Sequence, residues 1–343
     1  MRLPSHFGLF LHGAAAVALL AGCSGGGSES SQATSPTSAV SQSIASQSVS
    51  TQRGFVNAAA VNAAGGNQII VSDEFANTVS VFGAAGQLNA LLTTGLSQPV
   101  GIATDAAENL YVANGQDFNI LVYAKPYNSA ALTLQDPGLY PGGVAVSQTG
   151  VVAVTSPVAN PYGPGAVRFY AKGASTACAT VTDPNWQGMQ FGSFDATGSL
   201  FIDGYDRDGN PLVGEIAGGC AATSIVTLSI GNTLANPQDV KVVNGKFLIL
   251  DQNYNTFAPV IYEYAAPKAG ALGTPTGTTK LSAGIEMMTF ALTQDNNYLW
   301  IAHSGTAAGR IKYTYPGGHF VRSFNEQSFQ SAYGIAVNPV ARP

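Results

Sequence analysis

Short apolar runs broken by polar turns recur along most of this chain. In the stretch 98–124, QPVGIATDAAENLYVANGQDFNILVYA, the runs are Val100–Asp105, Asn109–Ala113 and Ile120–Ala124, and a fourth follows at Leu132–Leu134. Runs of this length, rich in β-branched residues and bounded by Gly, Asn and Asp, predict strands joined by tight turns. One four-stranded antiparallel sheet is then complete within about 40 residues.

The same unit returns. Taking the second strand as the anchor, its copies start at Ile69, Leu110, Val152, Leu200, Phe247 and Leu299, which lie 41, 42, 48, 47 and 52 residues apart. That period predicts an all-β fold, a six-bladed β-propeller of four-stranded antiparallel blades. The first strand recurs at Val100–Asp105, Gly143–Ser147, Phe191–Asp195, Asp239–Val243, Phe290–Thr293 and Gly334–Asn338. The last copy has no second strand after it, and the anchor at Ile69 has no first strand before it. The C-terminal strand is therefore expected to complete the first blade and close the ring, removing the exposed edges that invite aggregation.

With these residues in view, the pattern P-x-G-[IV]-A-x-D-x-x-x-N-L-Y-V-A-N resembles the six-bladed propellers of the NHL-repeat group and the related gluconolactonase-like and streptogramin-lyase-like proteins. The resemblance spans roughly residues 66–338 and is strongest in the second copy. It implies a fold rather than an activity, because one fold hosts many functions.

Residues 1–22 read as a targeting segment outside the fold, with Arg2 before the apolar stretch Phe7–Leu20. Leu20-Ala21-Gly22-Cys23 resembles the bacterial lipoprotein signal, cleaved before Cys so that Cys23 carries lipid and tethers the protein to a membrane. Ser24 rather than Asp after the lipidated position implies, by the family's sorting rule, the outer membrane. Residues 23–54, the expected tether, are mostly Ser, Gly, Gln, Thr and Ala, too polar to offset their chain entropy by burial. The propeller is expected over residues 55–343.

Composition narrows the partners. Only 10% of residues are charged, the net charge is -5, and no basic run is interleaved with aromatics, which speaks against nucleic acid. Envelope proteins and extracellular small molecules are the expected partners, with the membrane reached through Cys23. The other two cysteines, Cys178 and Cys220, follow the third strands of neighbouring blades. An oxidising compartment would allow them to pair as a disulfide.

The residue after each anchor strand is expected at one mouth of the central channel. These are Asp73, Asn114, Ser156, Gly204, Asp251 and His303, with Asp203 one position earlier. Such a ring offers a divalent cation, calcium or magnesium, or a polar ligand a set of oxygen and imidazole donors. Asp and Asn are also the ordinary residues for starting a turn, which is the plainer reading.

The related hydrolases hold a metal with a Glu, an Asn and an Asp. Asn114, Asp203 and Asp251 match parts of that set, and Glu74 stands nearest to the missing Glu. His303 and His319 are the histidines left after the signal, too few for a several-histidine zinc site. The stretch 203–210 resembles the opening of a calcium loop, but Asp208-Gly209 suits a hairpin turn better. Tyr127, Tyr140, Tyr162, Tyr205, Tyr254, Tyr333 and Trp186 fall in or beside loops, where exposed aromatics hold sugars or peptides. The leading expectation is a non-enzymatic binding or scaffold module; the alternative is a metal-dependent hydrolase or lyase at the channel mouth.

Overall fold

The computed structural model describes residues 54–63, 67–157, 164–253, 258–267, 270–282, 286–305, 308–325 and 329–339. The expected signal, Cys23 and nearly all of the tether lie outside them, as do Tyr162 and Tyr254. The chain forms six antiparallel blades, each led by an innermost strand at the axis. Blades two to six begin with Pro99–Thr104, Gly143–Val146, Gly188–Phe194, Pro237–Val243 and Met287–Leu292.

Blade one is completed by the end of the chain. Ala332–Asn338 pairs antiparallel with Gln68–Asp73, placing Val337 opposite Ile69 and Ile335 opposite Val71. A two-residue strand, Phe55–Val56, adds a fifth, outermost member to this blade by pairing with Leu88–Leu92. The sequence pattern placed Phe55 only at the start of the domain, since two residues carry no readable alternation.

The second strands are buried along nearly their whole length, which is why they read as continuous apolar runs. Together with side chains of the innermost strands they fill the spaces between sheets, for example Ile70 and Val112 with Ala336 in one cluster and Phe201 and Ile249 with Val240 in another.

A belt of hydrogen bonds crosses every interface between blades close to the axis. Ser72 Oγ donates to the Val100 carbonyl from blade one to blade two, and Gly101 N–H donates to the Gly142 carbonyl from two to three. Thr155 Oγ1 donates to the Gln190 carbonyl from three to four, while Val242 N–H of blade five donates to Ser193 Oγ of blade four. Phe290 N–H of blade six donates to Asp239 Oδ2 of blade five at 3.0 Å. Thr289 Oγ1 closes the circle by donating to the Tyr333 carbonyl at 2.8 Å.

Most of these bonds sit where the innermost strands bulge, at Pro99/Ile102, Met189/Gly192, Pro237/Asp239 and Met287/Thr289. A bulge leaves backbone groups without ladder partners, and the neighbouring blade takes them up. The glycine of the repeat has its reason here. A Cβ on Gly101 would lie 2.6 Å from the Gly142 carbonyl oxygen, and one on Gly334 only 2.3 Å from that of Val100.

At the periphery Cys178 and Cys220 are joined by a disulfide, with their Cα atoms 5.2 Å apart. It ties the start of the outer strand of blade three to a short turn in blade four. A parallel pair, Ser229–Ile230 with Ala271–Gly273, links the outer parts of blades four and five and was not foreseen from the sequence.

Candidate functional site

The channel has two unlike ends. At the first, the innermost strands begin beside the ends of the second strands, as in the pairs Pro99 with Asn114, Pro237 with Asp251 and Ala332 with Asp73. Val100, Phe191, Met288 and Tyr333 come from blades two, four, six and one and pack together there, with Tyr140 against them. Side chains from four separate blades can touch only at the axis, so this cluster plugs the channel.

The expected ring residues surround the plug, and most turn into their own blades. Asp73 Oδ1 accepts the N–H groups of Phe75, Ala76 and Ser331, and Oδ2 accepts that of Gln330. Asn114 Oδ1 accepts Ser97 N–H, and its Nδ2 donates to the Gly95 carbonyl. Asp251 accepts the N–H groups of Ala235 and Asn236. In each case the residue ending the second strand clasps the loop leading into the first strand of the same blade.

Ser156 reaches the corresponding loop by donating to Asp136, a carboxylate also held by Arg168 at 2.7 Å. Gly204 has no room for a side chain, since a Cβ there would lie 2.0 Å from the Gly188 carbonyl oxygen. His303 is 1% exposed, and neither ring nitrogen has a hydrogen-bond partner among the described residues. Burial lowers its pKa and keeps the imidazole neutral. Burial also raises the pKa of Asp251 against the pull of its two N–H partners.

Glu74 lies beside the plug, its N–H donating to the Ser331 carbonyl. Burial, reinforced by Asp73, pushes its carboxyl up to about 7. Among the described residues no three His, Cys, Asp or Glu side chains are gathered as a metal ion requires.

The calcium-like stretch is a hairpin turn between Leu200–Tyr205 and Pro211–Ile216. Asp206 accepts the N–H groups of Asp208 and Asn210 within it, whereas Asp203 is fully buried in the preceding strand. Several aromatics expected to be exposed are buried. Trp186 and Tyr127 are 0% exposed and Tyr333 is 7% exposed. Trp186 lies in the loop between blades three and four and Tyr127 in the turn between the third and fourth strands of blade two, and both rings pack between blades, whereas Tyr333 stands on the innermost strand of blade one and joins the plug. Trp186 Nε1 donates to Thr227 Oγ1, and Tyr127 Oη to the Glu108 carbonyl.

The second end of the channel is open. Between the later halves of the innermost strands lies a cavity of about 400 Å³. Its rim carries exposed Ala106, Gln148 and Gln294. Lys241 lines it and pairs with buried Asp239, Nζ lying 2.6 Å from each carboxylate oxygen. A smaller void of about 10 Å³, room for one water, is lined by Asp239, Lys241 and Thr289.

Asp203 adjoins this pair. By repeat position it occupies the place of Ser72 and Thr155, and its Oδ1 accepts Phe191 N–H at the bulge as Ser72 Oγ accepts Gly334 N–H. Burial, reinforced by Asp239, pushes its carboxyl up to about 8. The signal for the Asp239–Lys241 pair was present in the sequence as two charges at alternate positions of the run Asp-Val-Lys-Val-Val, whose other residues are valines.

No protein-family profile and no curated protein matches the sequence. Solved structures match the fold at low identity. A chain of a nidogen/laminin complex is 14% identical with a TM-score of 0.61, the match covering 81% of this chain and 100% of that one. A protein of unknown function from Bacteroides caccae is 11% identical with a TM-score of 0.57, covering 79% and 98%. A functionally unknown protein from Desulfotomaculum acetoxidans is 15% identical with a TM-score of 0.53, covering 84% and 88%. At such identities the likeness concerns the fold alone: this chain is a six-bladed β-propeller.

Proposed function

We propose that the mature protein is a non-enzymatic binding propeller held at the bacterial cell envelope by lipid on Cys23. The observation that carries the binding reading is the contrast between the channel ends. At the plugged end, the Asp and Asn of the ring clasp their own blades' loops, whereas the other end opens on a cavity. The Cys178–Cys220 disulfide supports export, because such bonds persist in oxidising compartments. The Leu20–Cys23 motif supports the anchor, and Ser24 favours the outer membrane.

Glu74 favours a competing reading, a divalent-metal hydrolase or lyase at the plugged end, since a carboxyl titrating near 7 suits general acid-base work. Thermal melts with calcium, magnesium or chelator separate the two. The binding reading expects equal melting temperatures; a metal-dependent rise abolished by Asp251→Ala would favour the enzyme. For the anchor, mass spectrometry of the N-terminal peptide should find acylated Cys23, and Cys23→Ser should release the protein from membranes or leave its signal uncleaved. Unmodified Cys23 in the membrane fraction would end that part of the proposal.

A further inference from the structure

The interblade belt is uncharged at most of its joints, where Ser72, Thr155, Ser193, Thr289 or backbone groups make the link. Blades four and five differ: Asp203 stands where blades one and three use Ser72 and Thr155, and Asp239 makes the joint to blade six with Lys241 beside it. A link that a hydroxyl makes elsewhere does not require a buried ion pair, which carries a desolvation cost. Lys241 also lines the cavity and remains 26% exposed.

From this placement the geometry points to a small-molecule site in the open end of the channel. Its ligand is a compact, uncharged molecule with an apolar body and a carbonyl oxygen that accepts a hydrogen bond from Lys241 Nζ. The inference rests on the binding reading and gives it a site and a ligand class.

The cavity lies in the size range of small-molecule pockets. Its walls include Ile102, Val144, Phe194, Val242, Ala291 and Ile335, which suit an apolar body. Of the hydroxyls nearby, Thr104 donates to the Val337 carbonyl, while Ser193 accepts Val242 N–H and keeps its own hydrogen as a second, neutral donor. An ammonium has three donors, and Asp239 takes two. Nζ also lies 5.3 Å from the centroid of the Phe290 ring, and the remaining N–H is the donor assigned to the ligand.

Charge selects the head group. A cationic head would meet the ammonium itself, and the attraction of an anionic one to the ammonium would be offset by the Asp239 carboxylate just behind it and by the loss of the anion's own hydration. Asp203, whose carboxyl is held protonated at neutral pH, adds no further negative charge. A neutral acceptor fits both constraints.

The test uses the full chain purified in detergent and a matched pair of probes, 1-tetralone and tetralin, titrated by ligand-observed NMR. The ketone should bind saturably at one site, with the hydrocarbon about tenfold weaker or more, as expected for a hydrogen bond to a charged donor. The double variant Asp239→Asn/Lys241→Met, which preserves neutrality, should remove the preference for the ketone. Val146→Phe inside the cavity, or Gln294→Trp at its exposed rim, should abolish binding of both probes, with melting curves confirming the fold. Absence of saturable binding, equal affinities for the two probes, tighter binding of 1-naphthoate, or indifference to both blocking variants would overturn the proposal. Such a failure with melting temperatures insensitive to metal removes this site alone; a metal-dependent rise lost in Asp251→Ala removes the binding reading itself.

Discussion

Gly334 and Ser72 are 262 residues apart in sequence and hydrogen-bonded, the glycine N–H donating to the serine hydroxyl at 2.8 Å. Ser72 passes its own hydrogen to the Val100 carbonyl of blade two, so one hydroxyl joins the end of the chain, its beginning and the neighbouring blade. Closure is thus a continuation of the belt as well as a strand pairing.

Removal of residues 333–343 deletes most of the innermost strand of blade one and exposes the edge of Gln68–Asp73. The shortened protein is expected to aggregate or to unfold without cooperativity in calorimetry. A monomeric truncation with the parent's melting profile would refute the closure.

Within the closure, Gly334→Ala should cost more than Ser72→Ala. The serine variant leaves Gly334 N–H without its acceptor, a loss of about 1–3 kcal/mol. The glycine variant forces a methyl group against the Val100 oxygen and Ser72 Oγ, at 2.3 and 2.7 Å, so the blades must separate. Denaturant unfolding of both variants measures the order, which the reverse ranking would contradict.

The clasps give a graded prediction. Asp251→Ala strands the N–H groups of Ala235 and Asn236, whereas Asp73→Ala strands those of Phe75, Ala76, Gln330 and Ser331. Both should destabilise, Asp251→Ala by about 2 kcal/mol and Asp73→Ala by more. Faster amide exchange should appear at the stranded groups; unchanged exchange there would remove the clasp from the account.

Much of this fold was legible because propeller blades repeat. The six anchors, the six first strands and the closure followed from a period and from two unmatched ends, and the structure places all of them. The ring offsets were legible too, since a repeat puts Asp73, Asn114 and Asp251 at one level. Their partners were not, because those partners are backbone N–H groups of loops 15 or more residues away from Asn114 and Asp251 and 257 or more away from Asp73 on its far side. Trp186 and Tyr127 misled for a related reason: a polar loop, between blades for Trp186 and between two strands of one blade for Tyr127, looks exposed in sequence, while a ring within it fills core space. Asp239 and Lys241 show their charge in the sequence, but only the bulge at Pro237/Asp239 sets them between plug and cavity.

The disulfide closes a loop of 42 residues between two blades. By loop entropy it should stabilise by about 4 kcal/mol. The double variant Cys178→Ser/Cys220→Ser should therefore melt lower than the oxidised parent and match the parent under reducing conditions. A variant as stable as the oxidised parent would show that the blade contacts alone fix this edge.

Asp203 makes stability depend on pH with a definite sign. Its carboxyl, ordinarily near 3.8, is pushed up to about 8 by burial and by Asp239, with Phe191 N–H and Lys241 opposing. Between those values the folded protein keeps a proton that the unfolded chain releases, so raising the pH favours unfolding. This one group contributes a slope of about 1.4 kcal/mol per pH unit, absent below the lower value and saturating above the upper. Asp239, Asp136 and Asp251, also raised by burial, act in the same direction, so the comparison must isolate Asp203. Asp203→Asn keeps an acceptor for Phe191 N–H and cannot ionise. It should gain in melting temperature over the parent as pH rises from 4 to 8, and the gain should level off beyond. Parallel curves for the two proteins across that interval would mean that Asp203 does not hold its proton in the folded state.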